Sequence, residues 1–240
     1  MMQIIKPHNI IHPDVRAFFT TKVPSNPEIN SGLKELLRHI GISENEVYLP
    51  IQRHTNKVMI LHDDFKPQIA DAVLTERKGV LIGVKVADCV PILLYDKRRS
   101  VIGAVHAGWR GTAMQILKTT IKIMQERFNS STEDILIAIG PSIRQCCYNV
   151  GGEVKEAVYK ATGEGDYYHR RNNKYFIDLS SANRIQVLSI GIPEQNIWQS
   201  EYCTFCNPER FHSYRYTKNS NGRQGGFIIR LLSESSARLM

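Results

Sequence analysis

"VADCVPILLYDKRRSVIGAVHAGWRGT", residues 86–112, is the most apolar stretch of the chain, and its pattern points to the architecture. PILLYD and SVIGAVHA flank the short polar turn KRRS, which makes them a candidate hairpin. Both runs are apolar at nearly every position instead of alternating, so the sheet they build must be covered on both faces. One strand runs out at Asp88-Cys89, just ahead of Pro91, which cannot donate to a central ladder. The other ends at His106, followed by AGWRGT and a helix. Two strands that end in reactive side chains predict a site at that end of the sheet, where α/β folds place ligands.

Outward from this pair, strands and helices interleave. Strands are predicted at VRAFFTTK (15–22), VYLPIQ, KVMIL, IADAVLT and VLIGVKVAD, with the last four close enough to pair with one another, then at DILIAIG, NIWQSEYCT, FHSYRY and GGFIIRLL. Helices are predicted at 29–41, with Leu33, Leu36, Leu37 and Ile40 on one face, and at 112–128, where Thr112 is placed as the N-cap. Two more are predicted at GGEVKEAVYKATG and DLSSANRIQVLSIG. HRRNNK is read as a loop. The sum is one α/β domain over residues 1–240, with many strands, partly antiparallel.

Composition narrows the function classes. The 240 residues are 42% apolar and 22% charged, as in an ordinary folded domain. No run approaches the roughly 20 apolar residues of a membrane helix, and MMQIIKPHNI lacks the apolar core of a secretory signal. A cytoplasmic location is expected, with no membrane partner. Five cysteines, two of them adjacent, make a poor disulfide framework and fit a reducing compartment. The net charge of +8 favours anionic ligands. The cations are scattered, however, and no nucleic-acid module is visible, so nucleic acid is not the expected partner.

Three residues suggest metal chemistry. His54, in PIQRHTNKV, follows a short apolar run much as Cys89 and His106 do. Two imidazoles and a thiolate suit zinc and leave a fourth position open. Copper is the lesser alternative, since copper sites with two histidines and a cysteine exist. The sequence has no His-x-His pair of the kind a multicopper cluster uses. Gly108 and Gly111 allow close backbone approach, and Arg110, beside the amides that open the following helix, is a candidate anion contact. Cys203-x-x-Cys206 with His212 nearby also suggests a structural zinc site. It lacks a second ligand pair unless Cys146 or Cys147 supplies one, and it is set aside as a decoy, with the vicinal cysteines read as packing residues. A metal-free cysteine hydrolase of amide or cell-wall peptide substrates, with Cys89 as nucleophile and His106 as base, is one rival reading.

ADCVPILLYD, VHAGWRGT, IGPSIRQCCYNVG, CT at 203–204, SYR at 213–215 and GR at 222–223 occur in this order. In this the chain resembles the YfiH/laccase-domain family, whose members also go by the names polyphenol oxidase and purine nucleoside phosphorylase. The resemblance implies a layered α/β domain of mixed sheets flanked by helices, an α/β/β/α-type sandwich. It implies a zinc site at His54 (of Gln52-Arg53-His54), Cys89 and His106, with phosphorolysis of adenosine, inosine, guanosine and methylthioadenosine and a side activity of adenosine deamination. Nucleoside and phosphate are then the expected partners, and the assembly is expected to be a monomer or a homodimer. Arg110 is the first choice for phosphate, ahead of Lys22 and Arg215. Gln52 and Asp88 are assigned to the substrate, with Tyr148 or Trp109 stacking on the base. The chain departs from the family near its start. Lys22 stands where arginine is usual and a glycine pair is missing from TTKVPSNPEINSG, which implies a different N-terminal substrate wall.

Overall fold

The structure, a computed structural model, describes residues 3–22, 34, 37, 42–218 and 222–232. Among these, the strands in chain order are β1 (Ile4–Ile5), β2 (Val15–Thr20), β3 (Val47–Tyr48), β4 (Val58–Ile60), β5 (Ala72–Thr75), β6 (Leu81–Val86), β7 (Val90–Asp96), β8 (Ile102–Ala107), β9 (Ile135–Ile139), β10 (Asn149–Val150), β11 (Tyr168–Arg171), β12 (Lys174–Ile177), β13 (Ile197–Gln199) and β14 (Gln224–Arg230). The helices are α1 (Trp109–Ala113), α2 (Ile116–Phe128), α3 (Gly152–Thr162), α4 (Leu179–Leu188) and α5 (Tyr214–Thr217). The strands form a five-stranded sheet (β1-β2-β14-β6-β3), a six-stranded sheet (β13-β9-β7-β8-β5-β4) and a three-stranded sheet (β10-β12-β11).

The predicted hairpin is β7–β8, antiparallel from Val90↔Ala107 to Tyr95↔Ile102. Every residue of both strands is buried. Alternation along each strand explains why. Ile92, Leu94 and Val105 pack among Ile116, Leu117 and Ile121 of α2 and Val187 of α4. Leu93, Tyr95, Ile102 and Ala104 face the other way, onto Phe19, Ile82, Val84 and Ile228 of the five-stranded sheet. Phe18, Leu81 and Phe227 point from that sheet to its outer side, where they meet Leu37. The layers are therefore helices, sheet and sheet, with Leu37 packed on the far face. Lys34 and Leu37 are both helical; the rest of the predicted 29–41 helix lies outside the described residues.

Several predicted elements differ. β4 pairs with β5 in parallel, but β6 lies in the other sheet with β14 and β3, so the four early strands do not pair in sequence. The predicted helix at 112–128 is two helices, broken at Met114–Gln115, where Gln115 has φ 56°. Thr112 does not cap the longer one; it lies in α1, where its hydroxyl accepts from Asn183 Nδ2 and its carbonyl from Gln186 Nε2. These tertiary bonds override the continuous helical pattern. FHSYRY is no strand: Ser213 Oγ accepts the Tyr216 amide and caps α5. HRRNNK belongs to the β11–β12 hairpin, turning at Asn172 and Asn173, both with positive φ, as a two-residue hairpin turn requires. No helix among the described residues is long and apolar enough to cross a membrane.

A candidate metal centre at the end of the sheet sandwich

Cys89 sits where the chain leaves β6 in one sheet and enters β7 in the other. The predicted picture of neighbouring strands is thus refined: the crossover carries Cys89 alongside the end of β8. His106 belongs to the β8 series Ile102–Ala104–His106 that points into the gap between the sheets, so it closes that gap at one end. His54 arrives on the loop between β3 and β4. One ligand atom from each of His54, Cys89 and His106 lies within 4.8 Å of the other two. Cys89 Sγ is 3.9 Å from His54 Nε2, and the two imidazole rings meet edge to face with centroids 4.8 Å apart.

The residue that organises this trio is Asp71, which the sequence reading passed over. Antiparallel register pairs Ala72 with Val105, which sets Asp71 beside His106. Asp71 Oδ1 lies 2.7 Å from His106 Nδ1. The same carboxylate accepts the backbone amides of Arg53, His54 and Thr55 and the Thr55 hydroxyl. A single buried acid thus fixes one imidazole and holds the loop that presents the other. That loop is under strain, since His54 has φ 58°. The only sequence signal was a charged residue inside the mostly apolar run IADAVLT.

Gly108 supplies the remaining geometry. A Cβ there would stand 2.9 Å from His54 Cδ2 and 3.0 Å from Cys89 Sγ, so only glycine lets these side chains come together.

Electrostatics couple the trio. Burial raises the Cys89 thiol, but the charge and hydrogen bond of His106, with help from His54, outweigh it and bring Cys89 down to about 6. Burial opposes charge on His106, yet Cys89 and Asp71 push it up to about 9. Burial also disfavours the Asp71 carboxylate, but His106 and Thr55 hold it well below the usual range. The metal-free pair is therefore a thiolate beside an imidazolium, titrating as a unit.

The trio forms part of the wall of a cavity of about 720 Å³. Gln52, Asp88, Arg110, Tyr148 and Arg215 all line it, as does Trp109. Their engagements differ. Arg110 is exposed and stacks its guanidinium 4.3 Å from the Trp109 ring. Arg215 donates to the carbonyl and side-chain oxygens of Asn149 and lies over Tyr148. Both Asp88 oxygens are occupied, one by the Thr204 hydroxyl at 2.6 Å and one by the Arg215 amide at 2.7 Å. Gln52 bridges the amide and carbonyl of Lys85. Burial and the Cys89 thiolate push the Tyr148 phenol up to about 12. Lys22 is not among the lining residues; its ammonium donates to the Pro208 carbonyl.

Residues 23–231 match the family described as multi-copper polyphenol oxidoreductase laccase. A purine nucleoside phosphorylase of Aquifex aeolicus is 42% identical over 205 residues, covering 85% of this chain and 93% of its own length. Adenosine deaminase RL5, from an unknown prokaryotic organism, is 35% identical over 201 residues, covering 78% of this chain and 76% of its own. The crystal structure of YlmD from Geobacillus stearothermophilus has a TM-score of 0.84 at 28% identity, covering 92% of this chain and 93% of its own. That likeness bears out the mixed α/β fold of several sheets. With most of its length matched and its three predicted ligands brought together, the chain belongs to the YfiH-like polyphenol oxidoreductase laccase family.

Proposed function

We propose that this chain is a zinc-dependent purine nucleoside phosphorylase. The observation that carries the reading is the convergence of His54, Cys89 and His106 on the wall of a cavity that also holds Arg110 and Arg215. Relatives named purine nucleoside phosphorylase supply the reaction class. One relative named adenosine deaminase supports a side activity on adenosine.

The donor set fits a divalent ion. Asp71 occupies His106 Nδ1, leaving Nε2 as the available nitrogen, the carboxylate–histidine arrangement common beneath zinc ligands. Two imidazoles and a thiolate leave one position open to a ligand. Zinc is preferred because two histidines and a cysteine with one open position are a donor set it commonly takes. When bound, the ion supplies Lewis acidity at its open position.

The chain's own residues do the positioning. Arg110, on the first turn of α1 and facing the cavity, is suited to a bidentate phosphate contact. Arg215, also lining the cavity, adds positive charge while Asn149 holds it in place. Trp109 and Tyr148 offer aromatic faces to a purine, and Leu49 and Ile51 supply apolar wall. Gln52 and Asp88 act through the backbone they tie together, Gln52 joining the His54 loop to β6 and Asp88 joining the Cys89 turn to α5. Holding phosphate against a sugar carbon in a partly enclosed cavity addresses the main cost of the reaction, which is orientation and charge.

The test is the metal content of the purified chain paired with an assay on adenosine and inosine. Zinc bound through Cys89, and free base released only when phosphate is present, is the expected result. The depressed Cys89 thiol favours a second reading, a cysteine hydrolase. Iodoacetamide inactivation of an activity that survives complete metal removal would support that reading and overturn the first.

A further inference from the structure

Four of the five cysteines take no part in the site above, and the fold gathers all four. The loop after β9 carries Cys146 and Cys147, and the loop after β13 carries Cys203 and Cys206. β9 and β13 run parallel as neighbours, Ile137↔Ile197 to Ile139↔Gln199, so both loops leave the same end of the sheet. They stay joined beyond it: Ser142 and Cys203 form a bridge, and the Thr204 amide donates to the Ser142 carbonyl at 3.0 Å. The four sulfurs all lie within 4.8 Å of one another. Cys206 Sγ is 3.2 Å from Cys147 Sγ and 3.6 Å from Cys146 Sγ.

The local backbone explains how vicinal cysteines can serve one centre. In a strand, adjacent side chains point to opposite faces. Residues 145–147 instead form a turn, in which the amides of Cys147 and Tyr148 both donate to the Arg144 carbonyl. Both thiols can then face Cys206. On the other side, Cys203-Thr-Phe-Cys206 has the two-residue spacing of a metal knuckle. The Cys203 sulfur accepts the Arg144 amide at 3.5 Å, which ties the two loops together at the cluster. A tetrahedral ion with sulfur at about 2.3 Å holds its ligands roughly 3.8 Å apart, which is the scale of this cluster.

We propose that Cys146, Cys147, Cys203 and Cys206 form a second metal site, a structural tetrathiolate centre for zinc. The sequence suggests Cys203-x-x-Cys206 with His212 nearby and names Cys146 or Cys147 as the missing ligands, but sets the group aside as a decoy; the cluster of four sulfurs argues the other way. The partner pair is the vicinal one, some 60 residues earlier in the chain. The ion would staple two loops that each deliver cavity residues: Ile143 and Tyr148 from the first, Tyr214 and Arg215 from the segment that follows the second. A tetrathiolate leaves no open position, so its role is to hold shape and not to turn over substrate. The centre is independent of the His54–Cys89–His106 trio, with which it shares no ligand.

The experiment uses the full chain, purified under reducing conditions without chelator. Zinc content is measured for the wild type and for Cys89→Ala, Cys206→Ser and Cys146→Ser. About two ions per chain are expected in the wild type and about one in each variant. X-ray absorption at the zinc edge of Cys89→Ala should show four sulfurs at about 2.3 Å. Failure of the first centre would appear as zinc that Cys89→Ala does not change. Failure of the second would appear as zinc unaffected by Cys206→Ser. If the serine variants do not fold, stripped wild-type chain titrated with Co²⁺ should develop tetrathiolate charge-transfer absorption. A folded Cys89→Ala chain that is free of zinc, or a Cys147–Cys206 disulfide under these reducing conditions, overturns the proposal.

Discussion

Asp71 and His106 meet across adjacent strands with 2.7 Å between Oδ1 and Nδ1, and both side chains are buried. The carboxylate sets the imidazole's tautomer and, through three backbone amides, the position of His54. Asp71→Asn keeps the shape but removes the charge that holds the Nδ1 proton. Zinc affinity of the first centre should fall about 10- to 100-fold. Competition with a chromophoric chelator measures this, and unchanged affinity would remove Asp71 from the account.

Gly108→Ala tests the close approach. The new methyl has two ligand side chains within 3.0 Å, and neither can retreat without leaving the centre. An added methyl in a packed site costs about 1–3 kcal/mol, and an ångström of misplacement can lower turnover about 100-fold. Gly152→Ala is the control, since its Cβ meets nothing nearer than 4.0 Å. Thermal unfolding and metal content of both variants separate a damaged centre from a damaged fold.

The β7–β8 hairpin was legible because its residues are apolar on both faces, a pattern that only a doubly covered sheet explains. His54, Cys89 and His106 were legible by residue type, since each closes an apolar run. Their partner Asp71 was hidden, because its meaning depends on the β5–β8 register, which no local pattern encodes. The break at Gln115 escaped for a related reason: no glycine or proline marks it, and the Gln115 side chain is held by the Ala161 carbonyl from another helix. The aromatic alternation of FHSYRY mimics a strand, but the Ser213 cap decides otherwise. The two cysteine pairs were visible, and their union was named as a condition, but only the parallel pairing of β9 with β13 brings them to one place.

Arg110 is exposed at the cavity wall, and its stacking on Trp109 orients it. Arg110→Ala should remove hydrogen bonds to a charged ligand worth about 1.5–3 kcal/mol, about 10- to 100-fold in kcat/KM for phosphate. Zinc content and stability should hold, the latter within roughly 0.5 kcal/mol. Arg110→Lys should recover only part of the loss, because an ammonium lacks the planar fork. Steady-state kinetics with phosphate as the varied substrate checks both variants. An unchanged phosphate dependence would move the anion contact to Arg215.

The Cys89–His106 pair makes a pH-resolved prediction for metal-stripped protein. Cys89 lies at about 6, so its thiolate dominates above that pH and is lost as pH falls through it. His106 keeps its proton up to about 9, so the charge that holds the thiolate persists across the neutral range. Alkylation of Cys89 by iodoacetamide, followed on its own peptide, should rise steeply between pH 5 and 7 and then level off; these limits are about one unit either side of its titration. A free thiol, ordinarily near 8.5, gains more than about tenfold in rate between roughly pH 6.5 and 8. His106→Gln removes the imidazolium, leaving burial to dominate, so the Cys89 profile should move to higher pH. If the wild-type rate instead climbed with pH like a free thiol, the thiolate–imidazolium pair would be excluded, and the cysteine hydrolase reading would lose its main support.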